Sequence, residues 1–383
     1  MNLRLLLVIL LITPSLGIHA YASVNQPPKM LGQKMIYDPV GQKIILFGGS
    51  CYSTSYTFYG DTWSLDTAKN EWTKLTTNGS PSARFNHAMV YDSDRREIVL
   101  FGGFSASDRI GDTWIYNIAD NKWTNVSPQT GPSRRSDPGA AYDAKAKKVV
   151  IFGGYGLGDK IQGDTWVFDV EQKTWTQMKP SNKPMGRYGG IMVYDSYTEK
   201  CLLFGGHLED ENGKDYGYEN EVWAYDCAGD NWEKVSTQNK PPVRYWHDLS
   251  YDTDGQRIIL FGGSQGGGND LGDTWIYSCR DKAWTKVAST ENPAARAQPS
   301  LAYDKSTKKT VMFGGADFVV AGNFVYFNDV WALDQNKQWA KLVAGEQSTT
   351  PTQPASGVPG FQFVDVVAGL ALATMILLLV KRR

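Results

Sequence analysis

The chain has 383 residues, 39 Lys and Arg against 40 Asp and Glu, a formal charge of −1 and 13% aromatic residues. That balance excludes a nucleic-acid footprint, which needs a strongly basic face. With 4 cysteines a disulfide-rich scaffold is excluded too.

The first 22 residues read Met-Asn-Leu-Arg, an apolar run over 5–12, then Ala20-Tyr21-Ala22. One positive charge, a short apolar core and an A-x-A site predict a secretory signal cut after Ala22. The other reading, an uncleaved anchor, meets the objection that so short a run cannot span a bilayer.

From residue 23 to residue 345 one pattern repeats. A double glycine directly after phenylalanine recurs at Gly48, Gly102, Gly153, Gly205, Gly262 and Gly314, at steps of 54, 51, 52, 57 and 52 residues. A fixed period of this size means a propeller or a solenoid. The length alone suggests two or three domains, but blades around one axis form a single folding unit. The predicted architecture is all-β: a six-bladed propeller with four antiparallel strands per blade. Approximate blade limits are 31–78, 85–129, 136–180, 188–238, 245–290 and 297–345.

Strand A of each blade ends in Tyr-Asp, at Tyr37, Tyr91, Tyr142, Tyr194, Tyr251 and Tyr303. The Asp opens a polar turn, where its side chain can bond backbone amides. Strand B, as in Ile98-Val-Leu-Phe101, is apolar throughout, which implies cover on both faces. Strand C carries Asp-Thr-Trp and strand D a second Trp. The pairs Trp63/Trp72, Trp114/Trp123, Trp166/Trp175, Trp223/Trp232, Trp275/Trp284 and Trp331/Trp339 are nine residues apart, the last eight. That spacing sets them across a hairpin at one level. Twelve of the 13 tryptophans fall in these two phases, so they are architecture first.

Gly-Gly, an aromatic (Tyr116, Phe168, Tyr225, Tyr277) and a Trp seven positions on resemble the kelch motif, with Leu65 and Leu333 as departures. The resemblance covers residues 31–345 and implies a kelch β-propeller, a binding scaffold whose ligand the fold does not name. Galactose oxidase is also a kelch propeller and binds copper through two Tyr and two His. Here no Tyr-His neighbour pair occurs, and Tyr245-Trp246-His247 comes nearest. No cofactor and no metal site are expected.

Strand direction gathers the D–A and B–C loops on one face and the A–B and C–D turns on the other. The B–C loops vary most, and variable loops on a rigid scaffold are where binding sits. They offer aromatic residues suited to a sugar or a protein, with Tyr56, Tyr216 and Phe324 as candidates. An arginine precedes strand A at one phase, as Arg84, Arg135, Arg187, Arg244 and Arg296, with Met30 in blade 1. Guanidiniums at the mouth would favour an acidic ligand; the alternative is that each ties its loop to the adjacent blade. Other kelch propellers use mouth arginines for acidic peptides, which the resemblance implies here. Trp246, the unpaired tryptophan beside Arg244, is the best single contact residue among these candidates.

His87 and His247 share a phase in blades 2 and 5 and read as strand-start hydrogen bonders. The acidic run over 209–215 has oxygens for calcium without the EF-hand order. If Gly206 faces Val222 across the hairpin, Cys201 faces Cys227 and the two could bridge. Asn78 and Asn125 open glycosylation sequons, each weakened by a following proline.

Residues 346–360, rich in Ser, Thr, Pro and Gln, read as a spacer. Residues 361–380 are apolar enough to span a membrane, and the basic residues 381–383 would stay in the cytoplasm. Pro359-Gly360-Phe361 with the span and basic end resembles the archaeal sorting tail built on Pro-Gly-Phe. That resemblance implies removal by an archaeosortase and lipid attachment; the alternative is a retained single-pass helix. Both place the propeller outside the cell.

The functional expectation is a surface-anchored, non-catalytic module binding a protein or glycan through the D–A/B–C face. An extracytoplasmic carbohydrate-active or oxidase-like enzyme, and a structural envelope or adhesion protein, are the alternatives.

Overall fold

The computed structural model describes residues 26–53, 55–210, 212–319 and 323–345. The expected signal over 1–22, the spacer over 346–360, the span over 361–380 and the basic end lie outside the described residues. Among the described residues no helix is long and apolar enough to cross a membrane.

Six four-stranded antiparallel sheets succeed one another, each built from strands A to D of one repeat. Their innermost A strands are Lys34–Asp38, Ala88–Asp92, Gly139–Asp143, Ile191–Asp195, Asp248–Asp252 and Ser300–Asp304. Each A strand packs beside its two neighbours, and the first meets the last, so the sheets close a ring. Strands B, such as Glu97–Phe101 and Lys148–Phe152, lie second in each sheet, covered on both faces. Ile98, Leu100, Val150, Ile151 and Phe152 accordingly show essentially no solvent exposure.

The Phe-Gly-Gly repeat is the joint between blades. Each phenylalanine packs on the strand-D tryptophan of the next blade, from Phe47–Trp123 at 5.1 Å to Phe261–Trp339 at 5.5 Å. Phe313–Trp72 closes the ring at 5.2 Å. The glycines that follow have positive φ, +69° at Gly102 and +103° at Gly103, a region L side chains seldom enter. A Cβ on Gly102 would stand 2.6 Å from the Arg135 carbonyl oxygen of the next blade. The Gly103 amide donates to that same oxygen at 2.9 Å. Glycine is there because two backbones meet.

The Tyr-Asp pairs divide their work. The Asp accepts amides of its own A–B turn, as Asp38 does from Val40 and Gly41. The Tyr hydroxyl reaches the preceding blade's turn, as Tyr142 to Asp94 at 2.7 Å and Tyr303 to Asp254 at 3.0 Å. The strand-D indoles also bond backwards: Trp123 to Thr62, Trp175 to Thr113, Trp232 to Thr165 and Trp339 to Thr274, at 2.8–3.0 Å. Where strand C starts with Val222 or Val330 the hydroxyl is missing, and the buried indole nitrogens of Trp284 and Trp72 have no partner.

One expectation of register fails. The paired tryptophans do not stand level across the C–D hairpin: Trp123 faces Tyr116 while Trp114 faces Asn125. The C–D turn is two residues longer than level rings would require, Asn117 pairing with Lys122, so the rings are offset diagonally by two residues.

Candidate functional site

The five arginines are not a ligand-binding ring. Arg84, Arg135, Arg187, Arg244 and Arg296 are 0–2% exposed. Each guanidinium donates to the first glycine carbonyl of its own blade, at 2.9–3.1 Å. In four blades it also grips a carboxylate through two nitrogens: Arg84–Asp112, Arg135–Asp164, Arg244–Asp273 and Arg296–Asp329. The strand-C indole donates to the same carboxylate in each of these blades. Blade 4 substitutes Glu219, whose longer arm meets Arg187 at 3.0 Å. Burial alone would lift the carboxyls of Asp164, Asp273 and Asp329, yet the guanidinium bonds hold them below the ordinary value. Meanwhile the arginine's own carbonyl accepts from the preceding blade's Gly-Gly. The arginine is a rivet with its side chain in one blade and its backbone tied to another. At the closure Met30 keeps the backbone half of the joint, accepting from Gly315 at 2.9 Å.

Two residues after each arginine position the chain closes the axis. Gly32, Asn86, Asp137, Gly189, Trp246 and Gln298 all have positive φ, 52–67°. Each amide donates to the carbonyl of the one before it round the ring, at 2.6–3.4 Å, Gly32 back to Gln298. Trp246 is therefore not an open contact residue. Its ring is 4% exposed, and its Nε1 donates across the axis to Asp137 at 3.0 Å. Desolvation of the partly buried Asp137 carboxyl pushes it up to about 6, against bonds from Ser136, Trp246 and Asn86 that pull it down. The signal missed in the sequence was the set of Gly, Asn and Asp at one phase, residues that tolerate this backbone.

Around this plug the B–C and D–A loops form a circuit of aromatic rings with one guanidinium. Tyr52, Tyr56, Phe58, Phe104, Arg109, Tyr155, Tyr188, Trp246, Phe318 and Phe324 follow one another at 4.5–6.5 Å and return to Tyr52. Tyr56 and Phe324 thus belong to one half-buried belt. Arg109 sits in it at 5% exposure and pairs with Asp159 at 3.0 Å. Tyr216 lies outside the belt, 47% exposed on the edge strand Asp215–Tyr218. His207 pins that hairpin, linking the Tyr188 hydroxyl at 3.0 Å to Asp215 at 2.8 Å.

The exposed part of this face is apolar with charges of both signs, Lys160, Lys183 and Lys214 standing exposed beside the carboxylates and Lys214 lying 4.7 Å over the Tyr216 ring. Leu157 and Met185 are 47% and 37% exposed, and sequence reasoning missed both. They lie on adjoining segments, because Gly186 fits between the Gln162 carbonyl and Glu209, whose amide bonds the Gly186 carbonyl at 3.1 Å. Asp210 and Asp215 border them; amide bonds from Lys214 and Gly217, first among the causes, hold these carboxyls below the ordinary value. Burial raises Asp270 and Asp317 on the neighbouring loops.

The expected Cys201–Cys227 bridge is overturned by register. Phe204, not Gly206, faces Val222, so Cys201 stands opposite Tyr225 and the thiols are free. Burial pushes both thiols up, Cys227 to about 11. His87 and His247 are buried against Phe47 and Phe204, and burial holds both well below the usual imidazole range. Among the described residues no group of three His, Cys, Asp or Glu could hold a metal ion. Asn78 and Asn125 are exposed; the Asn125 side chain accepts from the Ser127 amide at 2.9 Å.

Comparison with known proteins agrees with this geometry. Residues 18–206 and 191–364 match the family model described as the KLHDC2/KLHL20/DRC7 Kelch-repeats domain. Mei4-dependent protein 6 of Schizosaccharomyces pombe is 24% identical over 347 residues, 80% of this chain and 48% of its own length. The dynein alpha chain of the flagellar outer arm of Chlamydomonas reinhardtii is 24% identical over 72% of this chain and 6% of its own. An F-box/kelch-repeat protein of Arabidopsis thaliana is 26% identical over 63% and 53%. The chain therefore spans about half or less of these curated relatives. A kelch repeat suggests a protein-binding module. With both halves of the chain matched by that model, the protein belongs to the kelch-repeat family.

Proposed function

We propose that this protein is a non-catalytic, membrane-tethered module that holds a protein partner on the loops of blades 3 and 4. The observation that carries the reading is the position of Leu157, Met185 and Tyr216. They are three of the five large hydrophobic side chains left exposed among the described residues, and they occupy adjoining segments of one face. A cluster of exposed apolar groups with a polar border is what an interface presents before it closes. Asp210 and Asp215 together with the exposed Lys160, Lys183 and Lys214 surround them with charge of both signs, so a partner segment is selected by its apolar side chains. An acidic ligand is not supported, since the arginines that suggested it are spent inside the blades. The tether rests on the signal-like residues 1–22 and the apolar residues 361–380.

The test is a peptide array probed with the full-length chain, with hits titrated by fluorescence anisotropy. Peptides with aliphatic or aromatic anchor side chains should bind. Replacing Leu157 by Ser and Tyr216 by Ala together should weaken them roughly 30-fold or more, the scale of losing hot-spot side chains. The melting temperature should not move. Substituting Val40 and Tyr197 by Ser on the opposite face should leave affinity alone. A glycan hit with no peptide hit, or equal binding by the Leu157/Tyr216 variant, would end this assignment.

A further inference from the structure

The axis of the ring holds a cavity of about 510 Å³, within the size range of small-molecule sites. Each A strand pairs with strand B alone, so its other edge faces this space. The cavity has one closed end. Above it stand the hydrogen-bonded ring with its Trp246–Asp137 bridge and a separate space of only about 30 Å³. Lys34 forms the floor, reaching across to Asp248 at 3.1 Å. The other end opens between A–B turns, where Pro39, Ser93, Ala144, Ser196, Thr253 and Lys305 are exposed and line the mouth. That is the face opposite the proposed protein interface.

The charge of the lining selects the ligand. Lys34, Asp248 and Lys305 are the charged residues on the wall. Asp248 is fully used, by Lys34 and by the Leu301 amide at 2.7 Å. The carboxylates of the Tyr-Asp pairs turn into their own turns, as Asp38 does, and leave the channel. Lys305 at the mouth is therefore the charge not balanced within the lining. Ile36, Val193 and Ala140 supply apolar, half-exposed wall between mouth and floor. We propose that the channel binds a small organic anion with an apolar aryl or alkyl body, entering from the A–B turn face with its carboxylate or sulfonate toward lysine.

The probe is anilinonaphthalene sulfonate, followed by its fluorescence on the full-length folded chain. Saturable binding is expected, on the order of 10 μM for a ligand of that size, weakening as salt is added. Lys305→Glu should weaken it roughly five- to tenfold by reversing the one unbalanced charge. Ala144→Trp with Thr253→Trp, both at exposed rim positions, should abolish it by filling the mouth without touching the core. Tyr216→Ala should leave it unchanged. The proposal fails if binding never saturates, if the capped variant melts like the parent and still binds equally, or if Lys305→Glu leaves affinity and salt dependence as they were. Should the capped variant not fold, the Lys305→Glu titration decides alone.

Discussion

Four strand-D indoles donate to a threonine of the preceding blade, and two cannot because that threonine is Val222 or Val330. The ring thus contains its own control. In Thr165→Val the Trp232 indole nitrogen loses its acceptor at 3.0 Å while remaining fully buried. Leaving a buried donor unpaired costs about 1–3 kcal/mol. Val222→Thr runs the comparison backwards, giving the Trp284 nitrogen an oxygen and contributing about 1 kcal/mol. Part of that gain is lost to burying the new hydroxyl, which also finds its partner in the same indole. Val330→Thr does the same for Trp72, and the distant sites should add, for about 2 kcal/mol in the double variant. Urea unfolding followed by tryptophan fluorescence measures both directions, with the slope expected to stay constant because the exposed surface does not change. The reasoning is refuted if Thr165→Val is neutral, or if both Val-to-Thr changes destabilise. Either result would mean that shape at strand C, and not the hydroxyl, selects the residue.

Three further outcomes are expected. Arg135→Ala should destabilise by about 1–3 kcal/mol, because the buried Gly153 carbonyl loses its donor and the half-buried Asp164 keeps only the Trp166 indole; Arg134→Ala, one residue away and outside the guanidinium joint, should change denaturant stability by less than about 0.5 kcal/mol. Asp137 is raised from 3.8 to about 6, so the folded state holds its proton more tightly than the unfolded state. Its contribution is intact below about pH 4 and is lost as pH rises to about 6. Asp137→Asn keeps an acceptor for Trp246 and should gain up to about 3 kcal/mol over the parent at pH 7–8 but little at pH 4, read from melting curves across that range. Thiol counting with a chromogenic disulfide reagent after denaturation under non-reducing conditions should return all 4 cysteines; a count of two would restore the bridge that the register forbids.

The legible part of the fold was whatever the chain repeats in the same chemical form. Phe-Gly-Gly marks a backbone-to-backbone approach, which forbids side chains wherever it occurs, so period and motif suffice to place it. Tyr-Asp and Asp-Thr-Trp are the same kind of signal: each places a bond between consecutive blades, and the threonine bond is made in four of the six. Repetition was misread only where it was taken for a ligand site. Five arginines at one phase look like a charged mouth until their partners are paired off, yet the acid of each Gly-Asp-Thr-Trp recurs as regularly as the arginine. Residues that recur in step around a closed ring are more economically explained by the neighbouring blade than by a molecule that touches some blades and not others.

The proposed binding surface is the complement of that rule, and so it escapes a periodic reading. Leu157, Met185 and Tyr216 have no counterparts at their phases; nothing about an isolated leucine in a loop says that it is left in water. Their significance comes from Gly186, which lets two loops and a linker lie side by side. Trp246 shows the converse. It breaks the pattern at its phase, which made it look like a contact residue, but the break fills the axis where the other blades place Gly, Asn, Asp or Gln. An exception in a ring can point outward to a partner or inward to the axis, and only the direction of the backbone separates the two. At Trp246 a positive φ turns the indole onto Asp137. At Tyr216 the edge strand carries the side chain out beyond the belt, and that difference of direction separates the closure residue from the one placed in the proposed interface.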